Sequence, residues 1–316
     1  MRSAVLCLCL LPSADRARAQ ETSEFVVGVA AAPDGRLYAW GGDKKTATVA
    51  DGRTGKALHT LSGHTDTVYC LAFRPDGKTL ATGADDKTVR LWDTATGKEG
   101  LVLKGHTSTV RAVAFAPDGK TLASVALDET VRVWDAATGK QLRVIEDGAF
   151  YHLLAYSPDG RFLAGQAVPD DTGVVRVWDP ATGKRVHEFP APPRGLINCV
   201  AFSPDSKRLA LVTSRGAADV RDLTTGKTAA TFELTEDSGY AAAFSPDGKR
   251  LAVGDRKGVT RMWDAETGKL VATLTGGHTE GVRAVGFTAD GARVFTAGYD
   301  KLLRFWDPAT GRMLRD

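Results

Sequence analysis

The stretch HTDTVYCLAFRPDGKTLATGADDKTVRLWD, residues 64–93, recurs almost unchanged as HTSTVRAVAFAPDGKTLASVALDETVRVWD at residues 106–135. In both copies, short runs of β-branched and aromatic residues are separated by Pro-Asp-Gly and by polar linkers. Such runs predict short strands joined by tight turns. The separation of 42 residues between the two copies predicts that one β-unit is used repeatedly.

Three markers extend this unit over most of the chain. A Pro-Asp-Gly turn or its variant recurs every 41–46 residues, centred on Asp34, Asp76, Asp118, Asp159, Asp205, Asp247 and Asp290. A Trp-Asp pair or its remnant follows each turn and ends at Asp51, Asp93, Asp135, Asp179, Asp222, Asp264 and Asp307. A turn of Thr-Gly-Lys or Thr-Gly-Arg closes each unit. Because three independent markers keep register seven times, the sequence predicts seven repeats of four short strands.

These repeats resemble the WD-repeat family over roughly residues 25–316. The resemblance implies an all-β fold, a seven-bladed β-propeller of four-stranded antiparallel blades, in which stacking buries the faces that one blade alone leaves exposed. We expect the propeller to span residues 20–316, with blades at roughly 25–62, 63–104, 105–147, 148–191, 192–234, 235–276 and 277–316. In blade two, core-facing Val68, Leu71 and Phe73 break strict alternation and predict a bulge after Val68.

The resemblance further implies a hydrogen-bonded tetrad of His, Ser or Thr, Asp and Trp in each complete repeat. Repeats two, three and seven carry all four residues: His64, Thr82, Asp86 and Trp92; His106, Ser124, Asp128 and Trp134; His278, Thr296, Asp300 and Trp306. Since a buried indole, imidazole and carboxylate each need a partner, we interpret the tetrads as structural and not catalytic. The other repeats depart from the pattern, with Ala50 or Arg221 at the tryptophan position and Lys257 at the aspartate position.

The position after the predicted bulge points towards the channel mouth on the top face, which is formed by the loops between blades and by the turns between second and third strands. In blade order it is occupied by Val27, Tyr69, Arg111, His152, Asn198, Tyr240 and Arg283. Tyrosine and arginine are typical interface anchors. We therefore predict a partner-binding surface of Tyr69, Arg111, His152, Asn198, Tyr240 and Arg283, joined by Tyr299. The alternative is that this exposed position accepts any soluble side chain.

Several top-face segments break the repeat and predict a mildly acidic surface over blades four to six. They are Glu146-Asp147, the extra residues around Pro169-Asp170-Asp171, Pro190–Arg194 and Glu236-Asp237. Departures from a repeat on one face are typical of functional specialisation. The alternative is that these loops are only solvated connections.

The sequence contains no nucleophile elbow, phosphate-binding glycine loop, HExxH or CxxC motif. A net charge of +3 with both signs mixed along the chain does not favour nucleic-acid binding, and no apolar run is long enough to span a membrane. We expect a non-enzymatic scaffold that binds a partner protein or peptide on the top face without a cofactor or metal, as a monomer or a subunit of a larger assembly. The alternative is a small-ligand-binding or hydrolytic propeller with a site at the channel mouth.

Residues 1–19 differ in character from the repeats. Arg2 precedes the apolar run Ala4–Leu11, and Ala17-Arg18-Ala19 forms a small-x-small pattern before Gln20. This pattern is typical of a signal peptide and predicts a periplasmic or secreted protein. The alternative is a disordered extension or a misplaced start codon, which would leave the protein in the cytoplasm.

Overall fold

The computed structural model describes residues 26–168, 173–192, 195–234, 239–274, 276–300 and 302–314. Within these ranges the chain forms seven antiparallel sheets, each of four strands that are consecutive in sequence. The prediction of an all-β fold with seven four-stranded blades is confirmed. None of the described residues form a helix that is long and apolar enough to cross a membrane. The predicted signal peptide, residues 1–19, lies outside the described residues.

The strands are short, most having five or six residues. Blades one to three contain β1 (Val26–Ala31), β2 (Leu37–Gly42), β3 (Thr46–Asp51), β4 (Ala57–Ser62); β5 (Val68–Phe73), β6 (Thr79–Ala84), β7 (Val89–Asp93), β8 (Glu99–Leu103); and β9 (Val110–Phe115), β10 (Thr121–Ala126), β11 (Thr130–Asp135), β12 (Gln141–Glu146). Blades four and five contain β13 (Phe150–Tyr156), β14 (Leu163–Val168), β15 (Val174–Trp178), β16 (Arg185–Pro190); and β17 (Ile197–Phe202), β18 (Arg208–Thr213), β19 (Ala217–Asp222), β20 (Thr228–Glu233). Blades six and seven contain β21 (Gly239–Phe244), β22 (Arg250–Asp255), β23 (Thr260–Asp264), β24 (Leu270–Leu274); and β25 (Val282–Phe287), β26 (Val294–Gly298), β27 (Leu303–Trp306), β28 (Met313–Leu314).

The repeated aspartates act as turn formers. After β5, Asp76 Oδ1 accepts the backbone N–H of Lys78 at 3.0 Å. After β7, Asp93 Oδ1 accepts both the backbone N–H and the hydroxyl of Thr96, each at 2.7 Å, and these bonds hold the pKa of the Asp93 carboxyl below its usual value. Gly97 then reverses the chain with a φ of 70°, which favours glycine. Two of the three repeated sequence markers, the Pro-Asp-Gly and the Thr-Gly-Lys motifs, therefore form turns.

Each innermost strand carries an irregularity near its start. In blade two the register passes from Val68 opposite Ala84 to Cys70 opposite Gly83, so Tyr69 is the extra residue. The predicted bulge after Val68 is confirmed. The single extra residues of the other blades are Val27, Arg111, Asn198, Tyr240 and Arg283. In blade four, His152 and Leu153 together lie between the register pairs that flank the bulge.

The core lies between neighbouring blades. Five clusters of buried apolar residues join blades one and two, two and three, three and four, four to six, and six and seven. Adjacent inner strands approach closely: a Cβ added to Gly28 of β1 would lie 2.8 Å from Leu71 Cδ1 of β5. Small residues on one blade thus receive the larger first-strand side chains of the next.

Blades seven and one form a different kind of interface. No apolar cluster joins them within the described parts of the chain. Val29 of β1 is 43% exposed, whereas its counterparts Leu71 and Val285 are 9% and 4% exposed. Leu303 of β27 is 53% exposed, whereas its counterpart Val89 is 0% exposed. Blade seven takes its fourth strand, β28, from its own repeat, and only two residue pairs join β28 to β27. The interface between blades seven and one is therefore a loosely packed seam.

Candidate interaction surface at the channel mouth

The tetrad of blade two fixes the top-face loop from below. Trp92 Nε1 donates to Thr82 Oγ1 at 2.8 Å, Thr82 Oγ1 lies 2.7 Å from His64 Nε2, and His64 Nδ1 lies 2.8 Å from Asp86 Oδ2. Since the hydroxyl already accepts from the indole, it donates to Nε2, and Nδ1 carries the proton that goes to the carboxylate. Asp86 also accepts the backbone N–H of Thr65 at 3.0 Å. The network ties the segment before β5 to the turn between β6 and β7.

Blades three and seven repeat this network with similar distances. His106 Nδ1 lies 2.9 Å from Asp128, and Trp134 Nε1 donates to Ser124 at 2.8 Å. The corresponding distances in blade seven are 2.9 Å for His278 with Asp300 and 2.8 Å for Trp306 with Thr296. The hydrogen bonds from His106 hold the pKa of Asp128 well below its usual range against the opposing effect of burial, whereas burial lowers the pKa of His106. The imidazole is therefore neutral and the carboxylate charged at neutral pH.

Blade four replaces the tetrad by an ionic network. Gly165 stands at the Ser/Thr position, and the ring of Tyr151 packs edge-on against Trp178 with centroids 5.4 Å apart. Tyr151 donates its hydroxyl to Asp147 at 2.6 Å, and Arg176 donates to Glu188 at 2.8 Å and to the Tyr151 hydroxyl at 3.2 Å. Asp147, predicted to make the top face acidic, is thus engaged by Arg176.

Blades five and six contain different substitutes. Arg221, at the tryptophan position of blade five, donates to Asp219 at 2.6 Å and lies over the Phe189 ring of blade four at 5.7 Å. In blade six, where Lys257 takes the aspartate position, the buried Asp255 accepts from Arg261 at 2.8 Å. Sequence reasoning missed Asp219 and Asp255. The arginine that several repeats carry two residues before the tryptophan position did not identify them, because in blade five that position is Asp219 itself and in blade six Arg261 does not reveal which carboxylate it reaches.

In blades two, three, five and seven the turn between the second and third strands lies against the start of the first strand. The backbone N–H of Asp85 donates to the carbonyl of Thr67 at 2.9 Å, and that of Tyr299 donates to the carbonyl of Gly281 at 3.0 Å. The bulge residues follow Thr67 and Gly281 by two positions, so they lie at the same end of the channel as these turns. The structure thereby brings the predicted surface residues to one end of the inner strands.

Two arginines at this end lie over tyrosine rings of the preceding blade, and one of them also lies over a tyrosine of its own blade. The Arg111 guanidinium lies 4.6 Å from the centroid of the Tyr69 ring. The Arg283 guanidinium lies 5.2 Å from the Tyr240 ring and also 5.2 Å from the Tyr299 ring. Tyr240 is 8% exposed and therefore buried, whereas Arg283 is half-buried.

Of the remaining residues at the bulge, His152 and Asn198 belong to the predicted surface and Val27 does not. His152 is half-buried, and burial followed by the positive charge of Arg111 lowers its pKa, which favours the neutral imidazole. Asn198 donates its side-chain amide to the carbonyl of Gly239 at 3.0 Å and so spans blades five and six. Val27 is half-buried. Arg111 and Arg283 with their stacked tyrosines are therefore the chemically distinctive part of the mouth.

No cluster of histidine, cysteine and acidic side chains that could hold a metal ion occurs in the described ranges. Cys70 is a buried free thiol, and burial raises its pKa to about 12. Cys199 is also buried, and its Sγ lies 3.7 Å from the carbonyl oxygen of Val200. Of the top-face segments that predicted specialisation, Pro169-Asp170-Asp171 and Glu236-Asp237 lie wholly outside the described residues, and Pro190–Arg194 lies outside them at residues 193–194.

The sequence matches the family described as WD domain, G-beta repeat (WD40), over residues 55–93, 97–135, 183–219, 231–264 and 268–307. Together these ranges cover more than half of the chain. The chain belongs to the WD-repeat family. The family model does not match most of blade one or most of blade four. In blade one Ala50 replaces the tryptophan, and in blade four Gly165 replaces the tetrad hydroxyl. A search of curated proteins finds no matching relative. WD repeats generally mediate protein–protein interactions as non-enzymatic scaffolds.

Proposed function

We propose that this WD-repeat protein is a non-enzymatic scaffold that binds a partner protein or peptide at the channel mouth on its top face. The observation that carries the proposal is the paired stacking of Arg111 on Tyr69 and of Arg283 on Tyr240 and Tyr299. Stacked arginines and tyrosines lose little conformational entropy on binding, because their side chains are already ordered.

The rest of the top face supports the proposal. The tetrads of blades two, three and seven hold the surrounding turns rigidly from beneath. Turns and side chains that are already ordered before binding lower the entropic cost of association and so favour a specific interface. The bottom turns, by contrast, repeat the same aspartate caps from blade to blade, as at Asp93 and Asp135, and offer little that distinguishes one blade from another.

The first experiment is affinity capture from the envelope and soluble fractions of the native host. The baits are the wild-type protein and a variant with Tyr69→Ala, Arg111→Ala and Arg283→Ala, which spares the buried Tyr240. A matched control carries Lys78→Ala, Lys98→Ala and Lys140→Ala on the bottom turns. We expect one protein to be retained by the wild type and the control but lost from the top-face variant.

Circular dichroism and thermal unfolding establish beforehand that all three baits are folded. The captured protein is then purified and its affinity for each bait is measured by calorimetry. Equal affinity for all three baits would contradict a top-face site. The fraction that supplies the partner also tests the proposal that residues 1–19 direct export.

A further inference from the structure

Six of the seven blades carry the same pair of small residues on their two inner strands. In each of them an alanine of the first strand lies opposite an alanine of the second, as Ala30–Ala39, Ala72–Ala81, Ala114–Ala123, Ala155–Ala164, Ala201–Ala210 and Ala243–Ala252. The six second-strand alanines are all 0% exposed. In blade seven the pair is Gly286 opposite Phe295, and Phe295 is half-buried.

The alanine pairs belong to the surface on which the next blade packs. Ala81 of blade two lies in one apolar cluster with Leu122 of blade three, and Ala252 of blade six lies in one cluster with Val285 of blade seven. Because equivalent positions of a strand face the same side of their blade, Phe295 faces blade one. Its ring covers Gly286, since a Cβ added to that glycine would lie 2.2 Å from Phe295 Cζ. The ring therefore fills space that the alanine pairs leave for the neighbouring blade.

Blade one does not pack on this surface as the other blades pack on theirs. The inner strands of every other pair of neighbouring blades lie against each other, but β25 and β1 make no comparable contact. The turns of the bottom face show the same opening. A Cβ on Gly160 or Gly291 would lie 3.6 Å or 3.7 Å from a proline of the preceding blade, whereas a Cβ on Gly35 of blade one would meet no atom within 4 Å. The seam is thus open from the inner strands to the bottom turns.

We propose that Phe295 is a wedge that holds the ring of blades open at the seam between blades seven and one. A large side chain at a position that packs on a neighbour forces the two surfaces apart. Blades one and seven then each pack on one neighbour instead of two. Tyr69 of blade two and Arg283 of blade seven lie on opposite sides of the seam, so the width of the opening sets the distance between them. The wedge is independent of partner binding at the channel mouth.

The test measures how fast a cysteine at the seam reacts with N-ethylmaleimide in the full chain. Val29→Cys places a thiol on the blade-one side of the seam, and Val285→Cys places one at the same position of blade seven, where the valine is 4% exposed. Peptide mass spectrometry follows the modification at positions 29 and 285 alone, so that the native cysteines do not interfere. Since a buried thiol reacts only when the structure opens locally, we expect Val29→Cys to react at least about tenfold faster than Val285→Cys.

The decisive variant restores the alanine pair by combining Gly286→Ala with Phe295→Ala. We expect it to slow the modification of Val29→Cys at least about tenfold, because blade one then packs on blade seven and buries the thiol. The control is Phe305→Leu, which trims the aromatic side chain opposite Phe295 to the residue found in blade two and leaves the rate unchanged. Circular dichroism establishes that each variant is folded. If the double variant does not fold, Phe295→Leu with Gly286 retained takes its place, and it also slows the modification.

Two results would overturn the wedge. Modification of Val29→Cys as slow as that of Val285→Cys in the otherwise unchanged chain would show that the seam is closed in solution. An unchanged rate in the variant with the restored alanine pair would show that another feature separates the two blades. Neither result bears on the proposed function, which partner capture tests separately.

Discussion

Blade two and blade four bury a tryptophan at the same place in their third strands but surround it with different chemistry. Trp92 is 2% exposed and its indole N–H reaches Thr82, whereas Trp178 is 0% exposed and its indole N–H is buried without a partner. Blade four instead contains Arg176 among Glu188, Tyr151 and Asp147. Burial of the indole is thus common to both blades, and the hydrogen-bond network around it is interchangeable.

The exchange changes which segments are held together. In blade two the network joins the segment before β5 to the next turn through His64 and Asp86. In blade four, Arg176 donates to the carbonyl of Asp147 at 2.9 Å and to Glu188 of the outer strand β16. The loop between blades three and four is therefore fixed by charge and not by a neutral imidazole.

The largest effect is expected from Trp92→Ala. Removing a fully buried indole leaves a cavity and removes the donor to Thr82, so we expect a loss of about 3–5 kcal/mol in the free energy of unfolding. Urea titration followed by circular dichroism measures it. Trp40→Ala in blade one, where the indole is half-buried, is the control and should cost clearly less. A loss under about 1 kcal/mol for Trp92→Ala would show that the tryptophan does not anchor its blade.

Acid should weaken the tetrads. The folded-state pKa of Asp128 lies below the unfolded value, so its contribution is complete above about pH 4 and is lost as the pH falls towards the folded pKa. His106, whose pKa is also lowered, contributes above the unfolded value of about 6.5 and loses that contribution below it. The lowered pKa of Asp128 and the lowered pKa of His106 therefore both predict that the folded protein loses stability in acid.

The variant Asp128→Asn measures the contribution of the Asp128 carboxylate to the free energy of unfolding. We expect it to cost about 1.5–3 kcal/mol at pH 7, as for a hydrogen bond to a charged group, and the difference from wild type to narrow at pH 3. Asp118→Asn, at an exposed turn, removes the same charge and serves as the control. A difference that stays constant between the two pH values would exclude Asp128 as an acid-sensitive group.

The fold could be predicted from the sequence because the same turn-forming residues recur in every repeat. The Pro-Asp-Gly turns and the Asp-Thr caps, as at Asp76 and Asp93, are local interactions that can be recognised residue by residue. The bulge at Tyr69 could likewise be predicted, because a one-residue break in alternation moves later side chains to the other face.

The side-chain networks that replace the tetrad in blades four to six could not be predicted in the same way. Nothing local shows that Tyr151 replaces an imidazole or that Asp255 replaces the residue at Lys257, because these substitutions depend on side-chain reach across strands. The stacking of Arg111 on Tyr69 and of Arg283 on Tyr240 joins residues of different blades. Sequence reasoning identified those positions but not their pairing.

Exchanging each tryptophan for phenylalanine compares the two networks directly. Both Trp92→Phe and Trp178→Phe remove ring volume, but only the first removes a hydrogen bond that is made in the native state. We expect Trp92→Phe to cost about 1–2 kcal/mol more than Trp178→Phe, because the buried Thr82 hydroxyl loses its indole donor. Chemical denaturation of both variants under identical conditions gives the difference. Equal costs would mean that the tetrad hydrogen bond contributes nothing to stability.

The smallest effect is expected at the seam between blades seven and one. Val29 and Val285 occupy the same position in their first strands, but Val29 is 43% exposed and Val285 is 4% exposed. A Cβ on Gly254 would lie 3.0 Å from Val285 Cγ2, so blade six packs directly on that valine. We expect Val285→Ala to cost about 2 kcal/mol and Val29→Ala less than about 0.5 kcal/mol in urea titrations. Removing methyl groups lowers stability only where those groups are buried in the folded protein. Equal costs would therefore show that Val29 is buried in solution as fully as Val285.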